Sequence, residues 1–340
     1  MMNNKILVYV GFAFEHHLGT HGGYHHIAET GIYDKIIDCQ DFFSAINRNP
    51  QNLVSRIKRS LFRRLIGLSC FPWFIFRMLY IGLCNKEVVF HIIYGENLYT
   101  PLFRLLPRGC KIVCTFHQPF EWFDNKRWRK YLAQIDKIIL VSNKEVDMFR
   151  KVTHQDNVVY IPHGVCTDFY KPCHNIKKRK MILTVGNWLR DYKFADKVYK
   201  DFVSENPDWE IVIIANPESV VDIQKNERIR TLHDISDNDL LWYYCQCSVL
   251  FLPLKRFTAN NSLLEAASCG CNIVISSDNP DNSYIPDSLL NIVPLDVKIA
   301  LKAISEMSAT SSNATLSDFI YNNYSWKNIG DDVREFLYGV

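Results

Sequence analysis

Short apolar runs separated by amphipathic segments recur along the whole chain. Runs of this kind, bounded by charged residues, Gly or Pro, are typical of strands buried on both faces of a parallel sheet. Helical periodicity between runs, as at Val297–Met307, indicates β-α-β units with right-handed crossovers. The pattern predicts an α/β protein with strands at residues 5–11, 87–94, 111–116, 136–142, 181–185, 209–215, 229–232, 249–252 and 273–275.

The clearest β-α-β unit covers residues 249–277. An apolar strand, Val249–Leu252, is followed by a loop, a short helix at Ser262–Ser268 and a β-branched strand. The loop lies at the carboxyl end of its strand, the side on which open α/β sheets bind ligands. Asn260 or Asn261 can cap the helix, and the next backbone amides would then point to that side as an anion site. The residues at this helix start are Asn260, Asn261, Ser262 and Leu263.

Glu265 lies one turn into the same helix. Leu263, Leu264 and Ala267 form its predicted buried face, and Glu265 lies about 150° from the centre of that face at the helical period of about 3.6 residues. A carboxylate one turn behind a phosphate-binding helix start suits a ribose diol. The alternative interpretation is a capped surface helix with a solvated Glu265.

Residues 257–277 resemble the donor-site signature of the retaining GT-B glycosyltransferases of glycosyltransferase family 4. That family has a Glu-x7-Glu element, and L-L-E-A-A-S-C-G-C-N-I-V-I-S matches its second half. The resemblance gives Glu265 the place of the second Glu, which holds the nucleotide ribose, whereas Phe257 stands in the place of the first. It implies a GT-B fold, in which two Rossmann-like domains face a central cleft.

The resemblance also implies a division of the chain into domains. Residues 1–173 would bind the acceptor, residues 174–315 would bind the nucleotide sugar, and a C-terminal helix at 316–340 would return to the first domain. A run of four cations, Lys177–Lys180, precedes the first predicted strand of the second domain.

Gly186 follows the strand at 181–185 and begins the segment G-N-W-L-R-D-Y-K. Because it has no side chain, it allows a diphosphate to lie against the strand end. The family has a Gly, an Arg and a Lys here. Asn187 stands in the Arg place, Arg190 follows three residues on, and Lys193 matches the Lys. The resemblance therefore implies that Arg190 and Lys193 stabilise the leaving diphosphate, as a metal ion otherwise would.

Asp237-Asn238-Asp239 has the form of the metal-binding Asp-x-Asp of the other large glycosyltransferase fold. It opens a predicted helix, where acidic residues in the first turn are ordinary capping groups. We therefore expect metal-independent chemistry without a cofactor, the nucleoside-diphosphate sugar being the donor substrate. The family holds the base with backbone groups of the loop before this helix, which places Ile235 beside the ring.

Two features of the first half point to the ligand side of its sheet. Gly22 and Gly23 open a helix, and paired glycines let the backbone approach a ligand closely. The family has a Gly-Gly loop here that lines the cleft. His117 directly follows the strand at 111–116, and the family has a His here that contacts the donor sugar near the reacting carbon.

Five histidines crowd the segment around Gly22. Neither Asp nor Cys joins them at metal-ligand spacing, so a polar loop facing the acceptor is preferred to a metal site. They are His16, His17, His21, His25 and His26.

Residues 54–84 combine basic residues with an uncharged apolar stretch, Leu65–Phe76. A membrane-spanning helix needs about 20 apolar residues, and Pro72 and Arg77 would fall near its centre. One interpretation is an amphipathic surface whose aromatic residues enter an anionic membrane while its cations meet the headgroups. The other is that the aromatic residues are simply core. The cations are Arg56, Lys58, Arg59, Arg63 and Arg64, and the aromatic residues are Phe71, Trp73, Phe74 and Phe76.

Composition indicates which partners the protein binds and in which cellular compartment it is found. A net charge of +3 over 340 residues is too small to indicate nucleic-acid binding. The apolar start Ile6–Phe14 is better interpreted as a strand than as a signal peptide. The eleven cysteines lack a framework spacing, so we expect reduced thiols in a cytoplasmic protein, peripheral on the cytoplasmic face of the membrane if residues 54–84 bind lipid.

The expected reaction transfers a sugar from a nucleoside-diphosphate sugar to a hydroxyl of a glycan or lipid-linked acceptor. It would proceed with retention and serve the synthesis of a cell-surface glycan or glycolipid. Two alternatives stay open. A nucleotide-sugar epimerase of the same fold would need a carboxylate for proton abstraction, for which Glu96 and Glu121 are available. A degenerate partner subunit would bind nucleotide without transferring a sugar, as the replacements at Phe257 and Asn187 would allow.

Overall fold

The computed structural model describes residues 5–40, 74–153, 157–173, 176–256, 259–278, 284–310 and 312–340. The chain divides into two compact units, the first formed by Met1–Pro162 with Ile329–Val340 and the second by His163–Asn328. Each unit is built on a six-stranded sheet whose neighbouring strands are all parallel. The prediction of an α/β protein with parallel sheets is confirmed.

The sheet of the first unit consists of β1 (Lys5–Gly11), β2 (Lys35–Asp38), β3 (Glu87–Ile92), β4 (Cys110–Phe116), β5 (Lys137–Leu140) and β6 (Val158–Tyr160). Their spatial order is β2-β1-β3-β4-β5-β6. The four long apolar runs of this half form β1, β3, β4 and β5, as predicted. The sequence does not predict β2 and β6, because β2 is mostly exposed and β6 has only three residues.

The helices of the first unit follow the strands. Residues 74–84 form α1, and α2 (Gly95–Leu98), α3 (Lys126–Leu132) and α4 (Val146–Thr153) come after β3, β4 and β5. The end of the chain also belongs to this unit. Lys5 Nζ donates hydrogen bonds of 2.7 Å to the carbonyls of Tyr338 and Val340, which ties the last helix to β1.

Helix α1 is the part of residues 54–84 that the structure describes. Phe74 is buried, as the core interpretation requires, but Phe76, Tyr80 and Leu83 are 63%, 69% and 76% exposed. Phe71, Trp73 and the basic cluster lie outside the described residues, so the membrane interpretation stays a prediction. None of the helices in the described ranges is long and apolar enough to cross a bilayer.

The sheet of the second unit consists of β7 (Arg179–Val185), β8 (Glu210–Ile214), β9 (Ile229–Leu232), β10 (Cys247–Pro253), β11 (Ile273–Ser276) and β12 (Asn291–Val293). Their order is β12-β11-β10-β7-β8-β9. The chain therefore fills the sheet outward from β7 in one direction and outward from β10 in the other. β7 begins two residues before the predicted start, inside the basic run, and the three-residue β12 is not predicted.

Side-chain caps define the helices of the second unit, which are α5 (Tyr192–Glu205), α6 (Asp237–Gln246), α7 (Asn261–Ser268), α8 (Val297–Ser308) and α9 (Ala314–Tyr324). Asp191, Ser236 and Asn260 each accept a hydrogen bond from a first-turn amide of α5, α6 and α7. These caps satisfy amides that have no partner inside the helix. Asp237 and Asp239 lie in the first turn of α6, as predicted, but the cap itself is Ser236.

The last helix, α10 (Trp326–Tyr338), begins in the second unit and ends in the first. Its first residue packs against the segment that follows β6 within the second unit. A Cβ on Gly164 would lie 2.5 Å from the Trp326 ring, so this approach requires glycine. The Val165 amide also donates to the Tyr324 carbonyl at 2.8 Å, which fixes the segment beside the end of α9.

The expectation that all cysteines are reduced is wrong. Cys173 and Cys245 form a disulfide, with Cα atoms 5.7 Å apart across a sequence separation of 72 residues. Reduced thiols throughout were therefore wrongly predicted. The physical reason is that α6 folds back so that Cys245, near its end, meets the segment before β7, and so long a separation leaves no spacing signal in the sequence. Cys39, Cys114, Cys247, Cys269 and Cys271 are free and buried, as small apolar residues would be.

Candidate functional site

The strand order of the second unit reverses between β7 and β10. In open α/β sheets, the chains leaving two such strands go to opposite faces, and a crevice opens beyond their carboxyl ends. Gly186 follows β7 here, and α7 follows β10. The two segments that the sequence marks as anion-binding are therefore neighbours in space.

The loop after β7 is built around Gly186. Its φ of +108° lies in a region that favours glycine, and a Cβ there would lie 2.7 Å from the Arg190 guanidinium. The Tyr192 hydroxyl donates to the Gly186 carbonyl at 2.6 Å. The loop is also fastened to the end of β10, because the Asp191 amide donates to the Pro253 carbonyl at 2.8 Å.

Arg190 joins this loop to the start of α7. Its Nε donates to the Val185 carbonyl at 3.0 Å, and its Nη2 donates to Asn260 Oδ1 at 3.2 Å and to Ser262 Oγ at 2.7 Å. Burial lowers the pKa of the guanidinium below its ordinary value, but Arg stays protonated in proteins. Within the described ranges no carboxylate lies at ion-pair distance from it. The charge of Arg190 is thus uncompensated.

The start of α7 adds positive potential to the same place. Asn260 caps the helix by accepting from the Leu263 amide at 3.2 Å. Its Nδ2 is buried and has no hydrogen-bond acceptor among the described residues. The free first-turn amides carry the positive end of the helix dipole. A guanidinium without a carboxylate partner among the described residues, a helix start and a buried amide donor together form a place that suits an anion with several acceptor oxygens.

Glu265 is buried, which corrects one of the sequence interpretations. Only 7% of it is exposed, and all of Ser262–Ser268 is buried, so the surface helix with a solvated Glu265 is wrong. The reason is a second cover on the outer face of α7, where Ser317 of α9 donates to the Ser268 carbonyl at 2.7 Å.

The Glu265 carboxylate has a tyrosine partner. The Tyr244 hydroxyl of α6 donates to Glu265 Oε2 at 2.9 Å. Burial raises the pKa of Glu265 from its ordinary value of 4.5 to about 7, against the opposing effect of the Tyr244 hydrogen bond. The carboxyl therefore titrates near neutral pH, and hydroxyl donors from a ligand would favour its charged form.

The other predicted site residues of this unit take no part in the hydrogen bonds described above. Asn187 is exposed, and its Oδ1 accepts from the Asn216 amide at 2.6 Å. This hydrogen bond joins the end of β7 to the end of β8. Lys193 is exposed in the first turn of α5. Ile235 is half-buried in the loop between β9 and α6, directly after Asp234, whose φ is +51°. Asn261 is the first residue of α7, behind its cap.

Gly22 and Gly23 of the first unit are buried before a seven-residue 3-10 helix, Tyr24–Thr30. Gly23 has a φ of +102°, and a Cβ there would lie 3.0 Å from the rings of His17 and His25, so the turn requires glycine. Burial lowers the pKa of His25 to about 4, so its ring is neutral at pH 7. No group of three His, Cys, Asp or Glu side chains that could hold a metal ion occurs in the part of the chain that the structure describes.

His117 directly follows β4, as predicted, and its side chain is 12% exposed. The rings of Tyr24 and Tyr94 pack against it, with centroids 4.8 and 4.7 Å away. Glu96 Oε1 lies 3.4 Å from His117 Nδ1. The imidazole is therefore held between two aromatic rings and a carboxylate at the carboxyl edge of the sheet.

Comparison with known proteins identifies the fold. The model of Glycosyltransferase Family 4 matches residues 40–169. The fold resembles sucrose-phosphate synthase from Thermosynechococcus elongatus, with a TM-score of 0.66 at 13% identity over 97% of this chain and 98% of that one. It also resembles a glycosyltransferase from Rickettsia africae, with a TM-score of 0.64 at 13% identity over 98% and 97% of the two chains. The chain is a GT-B glycosyltransferase resembling glycosyltransferase family 4.

A third similar structure shows ligands in such a fold. The pneumococcal O-GlcNAc transferase GtfA, solved with UDP and GlcNAc, has a TM-score of 0.58 at 12% identity over 78% of this chain and 59% of that one. No curated protein matches this glycosyltransferase significantly in sequence. The two six-stranded parallel sheets flanked by helices are those of the GT-B fold, which confirms the predicted fold class.

Sequence reasoning missed several residues at the two sites of this glycosyltransferase. Tyr244 gave no signal, because it contacts Glu265 from a different helix. Tyr24 and Tyr94 were not predicted as site residues either. Tyr24 directly follows Gly23, and Tyr94 lies within the predicted strand at 87–94. Glu96 was named only as a carboxylate for an epimerase, and its place beside His117 follows from the parallel pairing of β3 and β4.

Proposed function

We propose that this glycosyltransferase transfers a sugar from a nucleoside-diphosphate sugar to an acceptor hydroxyl with retention and without a metal ion. The observation that carries the proposal is the unpaired Arg190 guanidinium at the start of α7. It hydrogen-bonds Asn260 and Ser262 and meets no carboxylate among the described residues. Arg190 is half-buried, and cations with limited access to water are normally paired in proteins, so a bound anion is the expected partner.

The proposed reaction breaks the bond between the sugar C1 and the diphosphate. Negative charge then grows on the phosphate oxygens, and Arg190, Lys193 and the amides of Asn261 and Ser262 stabilise it. The acceptor oxygen forms the new bond to C1, and its proton passes to the leaving phosphate. The electron pair of the broken bond stays on the diphosphate, so the step needs no further reactant.

The remaining contacts are assigned by unit. In the second unit, Glu265 would accept the ribose hydroxyls, and the backbone at Ile235 would hold the base. In the first unit, His117 would hold the donor sugar near its reacting carbon, and the loop at Gly22 and Gly23 would line the acceptor side.

The acceptor is proposed to be a glycan or a lipid-linked sugar of the cell surface, reached at the cytoplasmic face of an anionic membrane. The exposed Phe76, Tyr80 and Leu83 of α1 support this, because they recur at helical spacing on one face. The basic cluster that precedes α1 in the sequence would supply the attraction to anionic headgroups.

A thermal-shift screen of UDP, GDP, ADP and dTDP tests the donor site. A nucleotide at about 100 times its dissociation constant adds about 2.7 kcal/mol to the free energy of unfolding. UDP is the first choice, since it is the nucleotide bound in the solved transferase of similar fold. Arg190→Ala should abolish the shift, whereas Arg230→Ala, which removes an exposed cation paired with Glu210, should keep it. An equal shift in both variants would contradict the assignment of Arg190.

The epimerase alternative is favoured by one contact, the Glu96 carboxylate beside His117. An epimerase removes a carbon-bound proton, so it would exchange deuterium from the solvent into a nucleotide sugar without any acceptor. The degenerate-subunit alternative, motivated by Phe257 and Asn187, predicts a nucleotide-dependent thermal shift without either transfer or exchange. NMR of the nucleotide sugar in D₂O separates the three functions.

A further inference from the structure

The ends of β3 and β4 bring buried polar atoms together in the first unit. Helix α2 begins at Gly95, where a Cβ would lie 2.8 Å from the Phe116 ring and 3.0 Å from Cys114 Cβ. Glycine therefore lets α2 approach β4 closely, which brings Glu96 beside His117. Glu96 Oε1 accepts from the His117 amide at 3.3 Å and lies 3.4 Å from Nδ1 of the same residue.

Two acceptor oxygens lack donors here, one on Glu96 itself and one on Gln118, the residue after His117. Glu96 Oε2 and Gln118 Oε1 are both buried, and neither receives a hydrogen bond from the residues that the structure describes. The Glu96 side chain is 10% exposed, so bulk water does not solvate it freely. Buried acceptors without donors are costly and are uncommon in folded proteins. A bound molecule with hydrogen-bond donors would relieve both.

The surroundings of these oxygens limit the chemistry of that molecule. The Glu96 carboxylate disfavours phosphates and carboxylates, because like charges would meet in a poorly solvated corner. The rings of Tyr24 and Tyr94 beside His117 offer apolar surface next to the polar atoms. A neutral polyol fits both conditions, since its hydroxyls donate and its carbon-bound face packs on aromatic rings.

We propose that Glu96 and Gln118 form a sugar-hydroxyl subsite. Glu96 Oε2 and Gln118 Oε1 each accept a hydrogen bond from a hydroxyl of a sugar bound beside His117. The inference rests on the proposed function in one respect: the sugar belongs either to the donor or to the acceptor. The required chemistry is the same for both sources, so the test separates them.

The test compares Glu96→Gln and Gln118→Met with wild type. Glu121→Gln is the matched control, because it removes an exposed carboxylate four residues after His117. Melting temperatures of all variants confirm folding.

Three measurements are made on each protein. Calorimetry compares UDP with UDP-glucose and GDP with GDP-mannose. Transfer assays give the half-saturating concentration of methyl α-glucoside and methyl α-mannoside. Ligand-observed NMR follows direct binding of the same two glycosides without any nucleotide.

Glu96→Gln and Gln118→Met should each weaken sugar binding by about tenfold or more, since the first replaces a charged acceptor by a neutral amide and the second removes an acceptor altogether. If the donor sugar is bound, the affinity for the sugar nucleotide falls while that for the diphosphate alone is unchanged. If the acceptor is bound, the glycoside measurements change and the nucleotide affinities do not. Variants that match wild type in all three measurements overturn the subsite. Failure of every protein to bind a nucleotide, with glycoside binding still lost in the two variants, would instead overturn the proposed donor site and leave the subsite standing.

Discussion

Replacing Glu265 by Gln removes a carboxyl whose charge is costly in the folded protein. Burial raises its pKa from 4.5 to about 7. Below pH 4.5 this group is protonated in both the folded and the unfolded chain, so it has no effect on the pH dependence. As the pH rises from 4.5 to 7, the unfolded chain loses the proton first, and the free energy of unfolding falls. Above pH 7 the loss is complete.

The size of this effect follows from the two pKa values. A difference of 7 − 4.5 = 2.5 corresponds to about 3 kcal/mol at about 1.4 kcal/mol per pH unit. The hydrogen bond from Tyr244 also changes in the variant, at a cost of about 1 kcal/mol. Glu265→Gln should therefore be more stable than wild type by about 2 kcal/mol at pH 8 and no more stable at pH 5. Urea unfolding at both pH values measures the difference.

The negative charge of Glu265 lowers the free energy of unfolding, but it should strengthen nucleotide binding. In the proposed site the ribose hydroxyls would donate to the Glu265 carboxylate. The fraction of Glu265 in this charged form rises from about a tenth at pH 6 to about nine-tenths at pH 8 for a pKa of about 7. The affinity of wild type for the diphosphate should therefore rise about tenfold over this range. Glu265→Gln should lack this rise and bind more weakly by roughly 1–3 kcal/mol at pH 8.

Tyr244→Phe is the matched control, because it leaves the carboxyl and removes the donor that stabilises its charge. The rise in affinity should then move to higher pH. Calorimetry at pH 6, 7 and 8 distinguishes the three proteins. Equal affinities of wild type and Glu265→Gln at every pH would refute the assignment of the ribose to Glu265.

Three further predictions concern catalysis and the membrane. His117→Ala should lower turnover by about 100-fold or more and leave nucleotide affinity nearly unchanged, because the contact acts in the transition state; normal turnover per folded molecule would remove His117 from the site. Turnover should survive EDTA, since cations and helix amides carry the charge of the leaving group, and recovery of a lost activity by manganese would show the reverse. The protein should sediment with anionic vesicles at low salt and not at high salt, and replacing Arg59, Arg63 and Arg64 by Ser should abolish this, each cation contributing about 1 kcal/mol. Wild-type protein that ignores the vesicles would contradict the membrane proposal.

The sequence predicts most of what depends on neighbouring residues. The strand at 249–252, the cap at Asn260 and the helix at 262–268 are all found, because the apolar run, the capping side chain and the helical period lie within one short stretch. The placement of His117 at the edge of the sheet follows in the same way from the apolar run of β4.

The sequence does not predict the surroundings of a side chain where distant segments create them. Glu265 is buried because α9, about fifty residues on, covers its helix, and no local periodicity records that cover. Arg190 was expected to face a ligand, but its hydrogen bonds to Asn260 and Ser262 depend on how two loops meet at the ends of β7 and β10. The partner of His117 lies in the turn after another strand, and only the pairing of β3 with β4 reveals it.

The bond between Cys173 and Cys245 makes part of the second unit a covalent ring of about seventy residues. β7, β8 and β9 lie inside this ring, whereas Asn260 and Glu265 lie outside it. Closing a ring of this size removes conformational freedom from the unfolded chain worth about 4 kcal/mol. A thiol reductant should therefore change the free energy of the unfolded chain more than it changes the proposed nucleotide site of the folded protein. Melting temperatures of wild type and variants can be compared only at one oxidation state, while dissociation constants measured on folded protein should be the same in both.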